Sequence, residues 1–266
     1  MHAAGSVLDD LRDEGDDLDR LVAGLSPDLW ARPTPAPGWT VAHQIAHLAW
    51  TDEVALLAAT DPDAFAAHTA EAIAAPDTFV DQGADEGASL PPGALIARWR
   101  TARERLGQTL RSAPPGTRIP WYGPPMSATA LATARLMETW AHGQDVADAL
   151  GVVRAPTARL RHVAWIGVRA RGYAYAVRGL RPPPAPVRVE LTAPDGGTTW
   201  TYGPDDAAQY VTGPALDFCL LVTRRAHRAD VALHATGPDA DRWLDIAQAF
   251  AGPPGPGRAP REEARA

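Results

Sequence analysis

Apolar residues return at helical spacing through most of the first 150 positions. Val7, Leu8, Leu11, Leu18, Leu21, Val22 and Leu25 predict an amphipathic helix over residues 6–25 with its acids turned to water. Pro27, Pro33, Pro35, Pro37 and Gly38 then break the chain, and Thr40 stands as the N-cap of a second helix over 40–59. This helix has two stripes. His43, His47, Trp50, Val54 and Leu57 share one side and Val41, Ile45, Leu48 and Leu56 the other, so cover is expected on both. Residues 61–88, with Pro62, Pro76, Gly83 and Gly87, predict loop with some short helix. A third helix over 89–112 starts at Ser89 with Pro91 and Pro92 in its first turn and stops at Pro114-Pro115-Gly116. A fourth runs from Ser127 to Leu150, with Gly151 placed as its C-terminal glycine. Together these predict an N-terminal four-helix bundle over residues 1–153.

The pattern then changes. A helix over 157–179 leads through Arg181-Pro182-Pro183-Pro184 into Val187–Leu191, which alternates like a strand. Asp195-Gly196-Gly197 reads as a hairpin turn before a strand at 198–202. A strand at 207–212, a helix from Gly213-Pro214 to about 225, a strand at 231–235 and a helix at 239–250 complete a small α+β domain over 154–251. From Gly252 onward, prolines among charges predict a disordered tail.

A length of 266 residues accords with two domains, and 45% hydrophobic with 21% charged residues is the composition of a soluble globular protein with a sizeable core. The net charge of −7 argues against a nucleic-acid footprint. No apolar run reaches the ~18 residues that a membrane span requires. The early acidic run of Asp9, Asp10, Asp13, Glu14, Asp16 and Asp17 is the opposite of a basic secretory leader, so a cytoplasmic location and a monomer or homodimer are expected. Cys219, within the apolar run 216–221, has no cysteine to pair with and reads as a buried packing residue.

Chemistry enters where polar groups interrupt the stripes. Glu138, His142 and Asp145 fall on one side of the fourth helix among core residues, and buried charge is costly unless paired or metal-bound. A Glu and a His four apart can aim an oxygen and a nitrogen at one point, and His47 on a facing helix supplies a third ligand while leaving a coordination position open. A salt bridge from Glu138 to Arg135 and a core role for His43 are the plainer alternatives. His43 could be a fourth ligand, a hydrogen-bond partner to a ligand or a general base, and a pocket role suits an open metal best. Asp145, one turn beyond His142, could orient that imidazole or cap a neighbouring chain end. Trp50 would line the same site. Arg169, with Arg171 and Arg178, could hold an anionic substrate or a thiol's carboxylate, or form a solvated face. His162, His227 and His234 lack a companion spacing and read as ordinary, as do His2 at the chain end and His68 in a loop.

The stretch from Pro37-Gly38-Trp39-Thr40 through His43-Gln44-Ile45-Ala46-His47-Leu48 resembles the second-helix signature of DinB-like metal-binding bundles, and specifically of the mycothiol-dependent maleylpyruvate isomerase family. Met137-Glu138-Thr139-Trp140-Ala141-His142 through Val146 is similar to that family's fourth-helix motif. Thr212–Cys219 and Gly237–Phe250 resemble a branch of metal-binding members. The resemblance implies a catalytic zinc on His47, Glu138 and His142, with mycothiol as co-substrate. Isomerase or S-transferase chemistry on a small molecule follows from it. A thiol-independent Lewis-acid lyase, hydrolase or cyclase and a non-catalytic binding module are the competing readings.

Overall fold

The computed structural model describes residues 6–74 and 78–261, and the chain divides into two compact units at Arg154 and Ala155. In the first, Ser6 caps α1 (Val7–Val22) by accepting from the Asp9 N–H, and α2 (Pro27–Trp30) is a single turn behind it. The strand-like bridge between Pro33 and Thr40 brings the chain into α3 (Val41–Thr60). Both stripes of α3 are covered, as their composition requires: Val41, Ile45 and Leu48 are fully buried, and His47 and Val54 nearly so.

Residues 61–88 are more regular than their pattern predicts, forming α4 (Pro62–Ala74) and α5 (Phe79–Ala88). Alanine-rich sequence supplies the helix propensity of α4, and the Asp61 carboxylate accepts from the Ala64 N–H at its start. Packing supplies α5. A Cβ added at Gly83 would sit 2.7 Å from the Trp50 indole, and one at Gly87 2.7 Å from the Ala46 Cβ, so only glycine lets this helix lie so close on α3. The bundle is completed by α6 (Pro92–Ser112) and by α7 (Ala128–Leu150), which ends on the left-handed Gly151. One core cluster gathers Leu18, Trp30, Ile45, Leu95, Trp99 and Val146; a second gathers Val54, Phe65, Leu106, Ile119 and Leu131.

In the second unit, the helix expected over 157–179 is divided at Ala170 into α8 (Leu160–Arg169) and α9 (Arg171–Ala176). Then come β1 (Val187–Thr192), β2 (Thr199–Tyr202) and β3 (Gln209–Pro214), followed by α10 (Ala215–Val222), β4 (His234–Thr236) and α11 (Pro238–Ile246). The sheet order is β2-β1-β3-β4, with β1 and β3 parallel and both outer pairs antiparallel. Val187, Val189 and Leu191 alternate into the core, where Phe218 and Trp243 meet edge to face at 5.9 Å. Cys219 is fully buried and burial pushes its thiol far up, so it supplies no thiolate. The tail expected to be disordered has no helix or strand over 252–261, yet it is tied down: the Gly252 N–H donates to the Tyr173 hydroxyl and the Arg261 N–H to Asp230. Residues 262–266 lie outside the described residues. Among the described residues no helix is long and apolar enough to cross a membrane.

Candidate metal centre

Three side chains from two helices converge. His47 on α3 and Glu138 and His142 on α7 place their ligand atoms within 4.8 Å of one another. Glu138 Oε2 lies 3.2 Å from His142 Nε2 and 3.7 Å from His47 Nε2, and the imidazole centroids are 4.5 Å apart. The spacing of four on α7 stacks Glu138 and His142 on one face.

A chain of hydrogen bonds fixes which nitrogen of His142 faces the carboxylate. The Thr34 hydroxyl donates to the Trp39 carbonyl at 2.9 Å, so its oxygen accepts from Gln44 Nε2, also at 2.9 Å. That orients the fully buried Gln44 amide with its Oε1 toward His142 Nδ1, at 2.5 Å. Neutral His142 therefore carries its proton on Nδ1 and turns the bare lone pair of Nε2 toward a carboxylate oxygen. Two acceptors facing each other at this distance require a proton or a cation between them.

The other two groups complete that requirement. Burial, with the neighbouring charge of His142, pulls the His47 imidazole down to about 4, so it is neutral at physiological pH. Burial also pushes the Glu138 carboxyl up, but the imidazoles of His142 and His47 outweigh it and hold it well below the usual carboxylate range. His47 Nδ1 has no hydrogen-bond partner among the described residues. Two imidazoles and one carboxylate are the donor set that suits a divalent ion such as zinc.

Aromatic rings wall the cluster. Trp39 stacks against His142 at 5.9 Å and lies 5.2 Å from His47, and its Nε1–H donates to Asp81 on α5. Trp50 lies 6.1 Å from His47. Beyond it are Phe79 and His68, the latter on α4 rather than in a loop and 2.8 Å from the Tyr122 hydroxyl.

Other expected site residues are placed elsewhere. His43 is not in the cluster: its Nδ1 accepts from the Thr40 N–H and lies 2.7 Å from the Thr40 hydroxyl, while Nε2 lies 3.1 Å from Asp85. It closes the first turn of α3 and links it to α5. Asp145 is buried on α7, and the Gln44 amide is the group that holds Nδ1 of the His142 imidazole. Arg169 belongs to the second unit, where its guanidinium lies 4.9 Å over the Trp165 ring. Gln44 and Trp39 are the residues that sequence reasoning missed. A buried amide beside Val41, Ile45 and Leu48 was the available signal for Gln44; nothing in local spacing marks Trp39, which the turn at Pro37-Gly38 delivers.

Residues 11–147 match the model of the mycothiol maleylpyruvate isomerase N-terminal domain, and residues 183–236 match a model described as wyosine base formation. Uncharacterised proteins from two strains of Mycobacterium tuberculosis are 58% identical over 258 residues, 97% of this chain and 100% of theirs. Crystal structures of the mycothiol-dependent maleylpyruvate isomerase and of a point mutant of it superpose with a TM-score of 0.58, covering 88% of this chain and 94% of theirs. At 17% and 16% identity, that likeness concerns the fold.

Proposed function

Because the chain belongs to the family defined by the mycothiol maleylpyruvate isomerase N-terminal domain, we propose that it is a metal-dependent enzyme acting on a small molecule with a low-molecular-weight thiol such as mycothiol. The observation that carries this reading is the Thr34–Gln44–His142 relay, which leaves a lone pair aimed at the anionic Glu138. His47, Glu138 and His142 would hold the ion. Bound there, a divalent cation supplies Lewis acidity that lowers the pKa of a thiol or polarises a substrate oxygen.

This chain's own residues set the conditions for that chemistry. Gln44 keeps the His142 ring in one tautomer and one orientation. Glu138 neutralises part of the ion's charge, and its side chain is 24% exposed, so a small molecule can reach the cluster from solvent. Trp39 and Trp50 flank the imidazoles and exclude water from their faces. No thiol of the chain competes, since Cys219 is buried in the second unit. Isomerisation or S-transfer is the reaction class we assign, in a cytoplasmic setting with no nucleic-acid or membrane partner.

Elemental analysis of the purified protein should find about one divalent ion per chain. His47→Ala, Glu138→Ala and His142→Ala should each lose most of it, and full retention in all three would refute the ligand assignment. In a cobalt-substituted sample, added mycothiol should produce a sulfur-to-cobalt charge-transfer band, and maleylpyruvate turnover should depend on that thiol. A loaded protein with no such band at saturating thiol transfers the reading to a thiol-independent Lewis-acid enzyme.

A further inference from the structure

The second unit contains a cavity of about 600 Å³ between the C-terminal end of α10, the helical turn Arg228–Asp230, α11 and the segment 256–258. Its polar lining is Arg224, His227, Arg228 and Arg258, with Asp245 as the one carboxylate among the described lining residues. Asp245 is already committed: its Oδ1 accepts from Arg228 Nη1 at 2.6 Å, and the other arm of Arg228 is held by Asp241. His227 Nδ1 accepts from the Ala229 N–H at 3.1 Å, so neutral His227 carries its proton on Nε2 and is a donor there. Donors therefore outnumber uncommitted acceptors.

Arg224 is the unusual member. It has φ 60, the one positive value among the described non-glycine residues, because it is the left-handed residue that ends α10: its N–H donates to the Leu221 carbonyl at 2.9 Å and the Arg225 N–H to the Leu220 carbonyl at 2.7 Å. Its Nη2 donates to the Gly255 carbonyl at 3.3 Å, its Nη1 is shielded without a partner, and it forms no ion pair among the described residues. Burial and the charge of Arg178 both pull its guanidinium below the ordinary range, as expected of a cation that lacks a counter-charge. Gly257 of the tail packs directly on this guanidinium, where a side chain would collide. Leu221, Leu244 and Pro256 supply apolar wall.

We propose that this cavity binds a small organic oxyanion, a carboxylate or a phosphate monoester with an apolar body, and that Arg224 is its counter-ion. The guanidinium charge attracts either group, the His227 Nε2–H adds a donor, and the leucines take the apolar part. A volume of this size is in the range of small-molecule sites. The left-handed turn that ends α10 places this charge at the cavity wall. The site belongs wholly to the second unit and does not depend on the metal reading.

The test is titration calorimetry on the full chain with phenyl phosphate, benzoate and inorganic phosphate. At least one of the two organic anions should bind saturably, and which one does so separates the two sources of oxyanion. Inorganic phosphate should bind at least tenfold more weakly. Arg224→Gly is the informative variant, because glycine adopts this backbone without strain: it should melt at the wild-type temperature or higher and bind at least tenfold more weakly. His47→Ala should bind like wild type. No saturable binding by either organic anion, unchanged affinity in Arg224→Gly, inorganic phosphate binding as tightly as phenyl phosphate, or loss of binding in His47→Ala would each overturn the proposal.

Discussion

Asp52 on α3 and Glu138 on α7 are a buried and a half-buried carboxylate, and they are met by different partners. Asp52 Oδ1 accepts from Arg135 Nε at 2.8 Å, and the two side chains are 6% and 3% exposed. Burial pushes its carboxyl up against the pull of that guanidinium. Among the described residues Glu138 pairs with no guanidinium; two imidazoles face it through Nε2, and its side chain is 24% exposed. The sealed carboxylate is satisfied by a guanidinium; the accessible one is met by imidazoles that could share it with a cation. Two acids on neighbouring helices thus divide into a structural pair and a candidate metal ligand, by partner and by depth together.

The largest effect should come from breaking the sealed pair. Asp52→Asn leaves Arg135 buried and uncompensated, and should cost about 3–5 kcal/mol in urea unfolding while metal content per folded molecule stays at the wild-type level. A loss below ~1 kcal/mol would show that water reaches this pair and would erase the contrast. Acid should act on the other side. Folded His47 has its pKa near 4 against 6.5 when unfolded, so the unfolded chain takes up the proton first as pH falls. The metal-free protein should be fully stabilised by this group above pH 6.5 and lose about 3 kcal/mol by pH 4, with Glu138, also depressed, failing further down. Equal stability at pH 7 and 4.5 would contradict it, and the drop should shrink in His47→Phe.

Smaller effects test the supports. Gln44→Ala frees the His142 ring and should weaken metal affinity about 10- to 100-fold in a chelator competition, with the helical spectrum unchanged. An affinity equal to wild type would mean that the relay does not set the ring. His43→Ala removes the contact that closes the first turn of α3 and should cost about 1 kcal/mol of stability with metal content intact. Complete metal loss in that variant would return His43 to the coordination sphere.

Period and composition made much of this readable. The bundle helices follow from stripes and breaks, and the three cluster residues follow from a spacing of four on one helix and a histidine on its neighbour. His43 shows where that logic ends. Sharing a face with His47 placed it in the pocket, but it is the third residue after Thr40, the position from which a side chain reaches back to the N-cap, and a histidine there escapes the usual Glu or Gln pattern. The helices α4 and α5 were obscure for another reason. Gly83 and Gly87 read as breakers in isolation and act as contact surfaces once α3 is present. Long-range contacts of the tail, and the partner of Arg224, have no local signature at all.

The glycine seam of α5 has a consequence for how this fold diversifies. Asp81 and Asp85, which hold Trp39 and His43, ride on the same helix as Gly83 and Gly87. A side chain at position 87 meets Ala46 and lifts α5 from α3 as a unit, carrying the indole's anchor with it. One residue that touches neither the ligands nor the aromatic rim thus acts as a spacer for both. Descendants of this sequence can change what fits above the imidazoles by altering the thickness of one shim, with every metal-facing atom left alone.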